Sequence, residues 1–138
     1  MGAPKRHENY GKRVLHQAFG DAFNPKAETY KFGSNAGTAK IDGKIDKTIA
    51  VEIESRQSKQ VCGALIHLAF HPFNRKLLIL IRVFSNEYTA HQCKIILQKI
   101  CKRSHRFKVI VLQGNGKNKN FKQDVKLVQK AVRFLKKK

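Results

Sequence analysis

Asp42, Glu52 and Glu54 are the side chains of this sequence whose type and spacing are best suited to chemistry. They stand, with Asp46, in the run IDGKIDKTIAVEIESR, which holds four of the nine acids in a chain of 138 residues; Lys and Arg number twenty-nine and the net charge is +20. Charge of that size and sign favours a polyanionic partner. A tight acidic cluster repels such a partner unless a cation neutralises it. Carboxylate oxygens are hard ligands for Mg²⁺, which takes one or two carboxylates and keeps several waters. A metal held there lowers the pKa of a bound water and stabilises charge on a phosphoryl group. Basic surface and acidic spot together point to hydrolysis of nucleic acid. The plainer alternative is a mixed-charge strand face in which Lys40, Lys44 and Lys47 pair with the acids; exposed pairs of that kind contribute about 0–1 kcal/mol each.

Two strands must position these groups. Over 40–46, Ile41, Gly43 and Ile45 alternate with Lys40, Asp42, Lys44 and Asp46; over 48–54, Ile49, Val51 and Ile53 alternate with Thr48, Ala50, Glu52 and Glu54. Period two marks half-buried strands, and a slip by one residue turns every side chain over. A three-residue connection at 46–48 therefore pairs Ile45 with Ile49, Gly43 with Val51 and Ile41 with Ile53. It sets Asp42 opposite Glu52 and Lys40 opposite Glu54. Cross-strand Cβ atoms lie ~5 Å apart, so three carboxylates converge on one face. Asp46 falls in the turn, where Asp is at home.

The remaining elements alternate. A helix is expected over 8–19 (Tyr10, Val14, Leu15 and Ala18 on one face) and a loop over 20–35, rich in Gly, Asn and Pro. A helix follows over 57–70, ended by Pro72, and then a buried strand, KLLILIRV, at 76–83. Residues 89–102 read as a helix with Thr89 as N-cap and Cys93, Ile96, Leu97 and Ile100 inward. FKVIVL at 107–112 is a second buried strand. QGNGKNKN at 113–120 is a basic loop, and 121–136 a helix striped by Phe121, Val125, Val128, Val132 and Leu135. This order predicts one α/β domain over residues 1–138, with a mixed central sheet (an antiparallel hairpin plus parallel strands) flanked by helices.

In this arrangement the chain resembles the PD-(D/E)XK nuclease superfamily, which includes restriction endonucleases and Holliday junction resolvases. The resemblance rests on Asp42, a nine-residue spacer and Glu52-Ile53-Glu54, within helix, hairpin, helix, strand, helix, strand. It implies a restriction-endonuclease-like core and Mg²⁺-dependent cleavage of duplex DNA, with Mn²⁺ as a substitute. Asp42 and Glu52 would hold one or two ions together with the Ile53 carbonyl. Glu54 stands where the family usually has Lys; it is a further ligand or a general base. Lys40, set opposite Glu54 by the register, is the best substitute for that lysine's charge; Lys59 and Arg56 are rivals, and each better suits a phosphate contact. Gln60 suits a ligand carboxylate or water, and Glu8 resembles an acid of the resolvases' first helix. Lys117, Lys119 and Lys122 are further candidate DNA contacts. Junction resolution, and a nucleic-acid-binding protein that kept the fold without catalysis, are the alternatives.

Hydrolysing both strands of a duplex at one locus needs two such sites, which a homodimer supplies, with apolar surface on helices 57–70 and 89–102 near Phe70, Phe73, Phe84 and Tyr88 as its interface; a monomer that nicks strands one at a time is the alternative. The longest apolar run, LLILI, is too short for a membrane span, and MGAPKRHENY lacks the apolar stretch of a secretory signal. Three cysteines without a framework read as reduced thiols in a cytoplasmic compartment.

Overall fold

The computed structural model describes residues 3–26, 28–31, 38–54, 61–81, 87–101, 103–114 and 118–137. Helix α1 (Ala3–Phe19) and a short 3-10 turn (Gly20–Ala22) lead into strands β1 (Phe23–Asn24), β2 (Glu28–Lys31), β3 (Thr38–Ile41), β4 (Gly43–Ile45) and β5 (Ile49–Glu54). Helix α2 (Val61–Phe70), β6 (Arg75–Ile81), α3 (Glu87–Ile100), β7 (Arg106–Leu112) and α4 (Asn118–Lys136) complete the order. The central sheet has five strands in the order β1-β4-β5-β6-β7, and β2 and β3 form a separate two-stranded sheet. β1 and β5 are antiparallel to β4, while β5, β6 and β7 run parallel. The mixed sheet expected from the sequence is thus present. Among the described residues no helix is long and apolar enough to cross a membrane.

The β4–β5 hairpin adopts the register that its apolar pattern dictates, Ile45 on Ile49 and Gly43 on Val51. Asp46 and Lys47 have φ of 53° and 58°, and the Thr48 amide donates to the Ile45 carbonyl at 3.1 Å. Two successive positive φ values suit the right-handed twist of a hairpin. Asp tolerates that conformation, whereas Lys incurs the full steric cost, about 1–2 kcal/mol. Lys47→Gly is therefore expected to stabilise the fold by ~0.5–1 kcal/mol once the entropy of the added glycine is deducted; the denaturant midpoint measures it, and an unchanged or lowered midpoint refutes it. Gly43 answers a different need. A Cβ there would stand 2.5 Å from the Asn24 carbonyl oxygen of β1.

Two apolar layers sandwich the sheet. Ile49, Val51, Ile53, Leu77, Ile79, Ile81, Ile110 and Leu112 pack under α1 and α4, against Tyr10, Val14, Leu15, Val128, Val132 and Leu135. Ala50, Leu78, Leu80 and Val111 pack under α2 and α3, against Ala64, Leu65, Leu68, Ala90, Cys93 and Leu97. Helices on both faces bury all six residues of β5, so this strand is not half-exposed, as its alternating pattern had suggested.

Other departures have equally local causes. β1 and β2 lie inside the segment expected to be loop; two- and four-residue strands among turn residues leave no periodic signal. Helix α1 starts near Pro4 rather than residue 8, because proline is tolerated in a first turn. Thr89 lies within the first turn of α3, not at its cap. Ile96 and Ile100 are each 39% exposed on the flank of the Ala90–Cys93–Leu97 stripe, not inward. β7 is half-exposed over its first residues because it forms the sheet's edge.

Candidate metal and acid site

At Asp42 the chain bends. Gly43–Ile45 pairs with β5, but Lys40 and Ile41 pair instead with Thr29 and Glu28 of β2. The bend corrects two expectations. Ile41 does not face Ile53; it packs beneath α2 in the second apolar layer. Lys40 is not opposite Glu54. Its side chain is exposed, and its carbonyl lies 3.1 Å from His67 Nδ1 on α2.

The same bend fixes Asp42. Its amide donates to the Val51 carbonyl at 3.1 Å, and its Oδ2 accepts from the Ile53 amide at 2.7 Å. Past Gly43, β5 has lost its ladder partner on that side, and the carboxylate supplies the missing acceptor. One oxygen is thereby committed to backbone, and the same carboxyl also meets Glu52.

Glu52 meets Asp42 on the face beneath α2 and α3. Burial pushes its carboxyl up to about 10; the hydrogen bond to the Asp42 carboxyl and the charges of Asp42 and then Glu54 push the same way, against the Asp42 amide, which favours the anion. Glu52 and Glu54 are 8% and 3% exposed. Two carboxyls in contact in a poorly solvated place share a proton or take a cation. The donors fit Mg²⁺, a hard ion satisfied by one or two carboxylates and water. They do not form a closed cage: among the described residues no three of His, Cys, Asp and Glu gather as metal ligands.

Glu52 makes stability depend on pH. An acid whose pKa is raised by folding binds its proton more tightly folded than unfolded. Its contribution is intact below the ordinary value of 4.5 and declines as pH rises toward about 10. Without divalent metal, Glu52→Gln should match the wild type near pH 5 and exceed it by ~2 kcal/mol near pH 8, within a ceiling of ~1.4 kcal/mol per pH unit. Chemical denaturation at both pH values in EDTA checks this; parallel stability differences at the two would refute it.

The other candidates divide. Arg56, Lys59, Gln60 and Lys117 lie outside the described residues. Lys119 falls in the first turn of α4 and Lys122 is exposed on the same helix; both belong to the sheet face opposite the carboxyl pair. The Glu8 backbone lies in α1.

Two buried charged residues were not anticipated from sequence. Lys76, fully buried, neighbours Ala50 in register and donates to the Ala69 carbonyl at the end of α2; its charge partly opposes the burial that pushes the Cys101 thiol up. A lysine opening the run KLLILI was the available signal. Asp124, also fully buried, accepts from Tyr10 Oη at 2.6 Å, from the Gln113 amide at 2.9 Å and from the Gly114 amide at 3.0 Å. As the sole acid in a basic helix it was conspicuous, yet its partners are far away in sequence.

No protein-family model, curated protein or solved structure matches this chain.

Proposed function

We propose that the chain is a Mg²⁺-dependent endodeoxyribonuclease of restriction-endonuclease-like architecture. One observation carries the reading: the Asp42 and Glu52 carboxyls are in contact within a protein of net charge +20. The hairpin continuing into parallel strands supports it. Asp42 holds its place through the Ile53 amide. Glu52 gives up its proton when the site is loaded, and Glu54 adds a further negative charge on the same face. Mg²⁺ bound there supplies an acidified water and charge stabilisation at the phosphoryl group. Supercoiled plasmid and a four-way junction, each incubated with Mg²⁺ or with EDTA, test the reading. Metal-dependent cleavage of plasmid is expected, faster cleavage of the junction would favour resolution, and intact substrates in every arm would reject nuclease activity.

Cutting both strands at one locus calls for two copies. The outer faces of α2 and α3 carry exposed apolar surface: Ile66 is 46% and Phe70 60% exposed, and Ile95, Ile96 and Ile100 are 39% each. Phe73 instead packs against the inner layer, while Phe84 and the Tyr88 side chain lie outside the described residues. Sedimentation at micromolar protein should give a dimer that Phe70→Lys dissociates; a monomer with and without DNA, accompanied by single-strand nicks, would reject it.

A further inference from the structure

On the sheet face opposite the carboxyl pair, β7 and α4 enclose a groove of about 700 Å³. Its walls carry Lys108 from the strand, Lys130 and Arg133 from the helix, and Lys137 just beyond the helix's end. The acid among the lining residues is Asp124, which is fully buried and already accepts three hydrogen bonds. The charge presented to solvent is thus positive throughout. A smaller cavity of about 130 Å³ shares Lys137 and adds Arg75 and Arg106, prolonging the basic track toward the start of β6. Phe134 stands in the groove wall, 45% exposed, with the Lys108 amine 4.7 Å from its ring centre.

The Lys108 amine is drawn to the negative face of that ring, and the ring's exposed area is a platform on which a base can stack. Phosphates satisfy the cations, and an unpaired base offers a ring face to Phe134. A duplex does not, because its bases are already stacked on one another. We propose that this groove binds a single strand of nucleic acid, with Lys108, Lys130, Arg133 and Lys137 on its phosphates and Phe134 against a base. Backbone-tracking cations and an aromatic platform are the two parts such sites need. β6 and the thickness of the sheet separate the groove from Asp42 and Glu52, so the binding holds whether or not those carboxyls cut.

Fluorescence anisotropy with a labelled oligothymidylate in EDTA tests this without interference from cleavage. Lys130→Gln/Arg133→Gln should weaken binding at least ~10-fold and flatten the log–log salt slope by ~1.4, about 0.7 for each single-strand phosphate released. Lys94→Gln/Lys99→Gln, an equal charge change at exposed positions on α3, should cost ~3-fold or less at physiological ionic strength. Phe134→Leu should lose about 5- to 150-fold with the slope unchanged, the equivalent of 1–3 kcal/mol of stacking per base. Thermal melts confirm that each variant is folded. Equal losses in the two double variants would mean diffuse charge and overturn the site, as would full affinity in Phe134→Leu or tighter binding of a hairpin duplex of the same length. A polyglutamate peptide that binds more tightly than the oligonucleotide would reassign the groove to acidic peptides. Failure of the plasmid assay leaves this readout unaffected, so the two readings fail separately.

Discussion

Asp42→Asn is expected to lower Mg²⁺-dependent cleavage by about 10³-fold or more while leaving the fold intact. Asn keeps an oxygen for the Ile53 amide, now accepted by Asp42 at 2.7 Å, so the bend between β3 and β4 survives. The negative charge that would hold a hard cation is lost. Metal stabilisation of phosphoryl charge amounts to several kcal/mol, and each 1.36 kcal/mol is tenfold in rate. The substitution also removes the Asp42 charge that helps push the Glu52 carboxyl up, so Glu52 should ionise more readily, and affinity for DNA should hold or rise because a repulsive charge has gone. That split, cleavage down and binding preserved, separates a metal-holding role from a structural one. Glu52→Gln should behave alike in cleavage. Wild-type turnover in either variant, measured on plasmid at saturating Mg²⁺, would remove the pair from the mechanism.

Asp124→Ala should be the most damaging substitution for stability, at about 3–5 kcal/mol. Its carboxylate joins three separate pieces of the chain. Tyr10 reaches it from α1, the Gln113 and Gly114 amides from the turn after β7, and Asp124 itself belongs to α4. Removing it strands three donors, each costing about 1–3 kcal/mol when buried without an acceptor. The sum is discounted because groups sharing one partner relax together. A domain of this size is stable by ~5–15 kcal/mol, so the melting temperature should fall by ~10 °C or more. Tyr10→Phe removes one donor together with its need, and about 1 kcal/mol is expected. Burial and Asp124 hold the Tyr10 hydroxyl well above its ordinary pKa, so the Tyr10–Asp124 bond should persist across the whole neutral range. Calorimetry on both variants decides. A loss below 1 kcal/mol for Asp124→Ala would show that water replaces the carboxylate, and the pin would then be dispensable.

Local periodicity is written in the amino-acid order, and its direct consequences were legible there. Alternation over 40–46 and 48–54 set the register of the hairpin, because only one pairing keeps Gly43, Ile45, Ile49 and Val51 on one face. The run KLLILI announced a strand covered on both sides, and the stripe of Val128, Val132 and Leu135 announced which face of α4 turns inward. The acids stood out by scarcity alone. Tertiary structure decided whatever depends on which surface lies opposite. Ile41 and Lys40 continue the hairpin's alternation perfectly, yet the chain leaves β5 at Asp42 to pair with β2, and the expected Lys40–Glu54 juxtaposition goes with it. Glu52 and Glu54 alternate like residues of a solvated face but lie beneath α2 and α3, because a strand's period says that its two faces differ and not what covers each one. Asp124 and Lys76 are buried by partners distant in sequence, and pairing across such distances leaves no local mark. The groove beside β7 exists because the sheet ends there, and the position of a sheet's edge is settled by the order of strands in space.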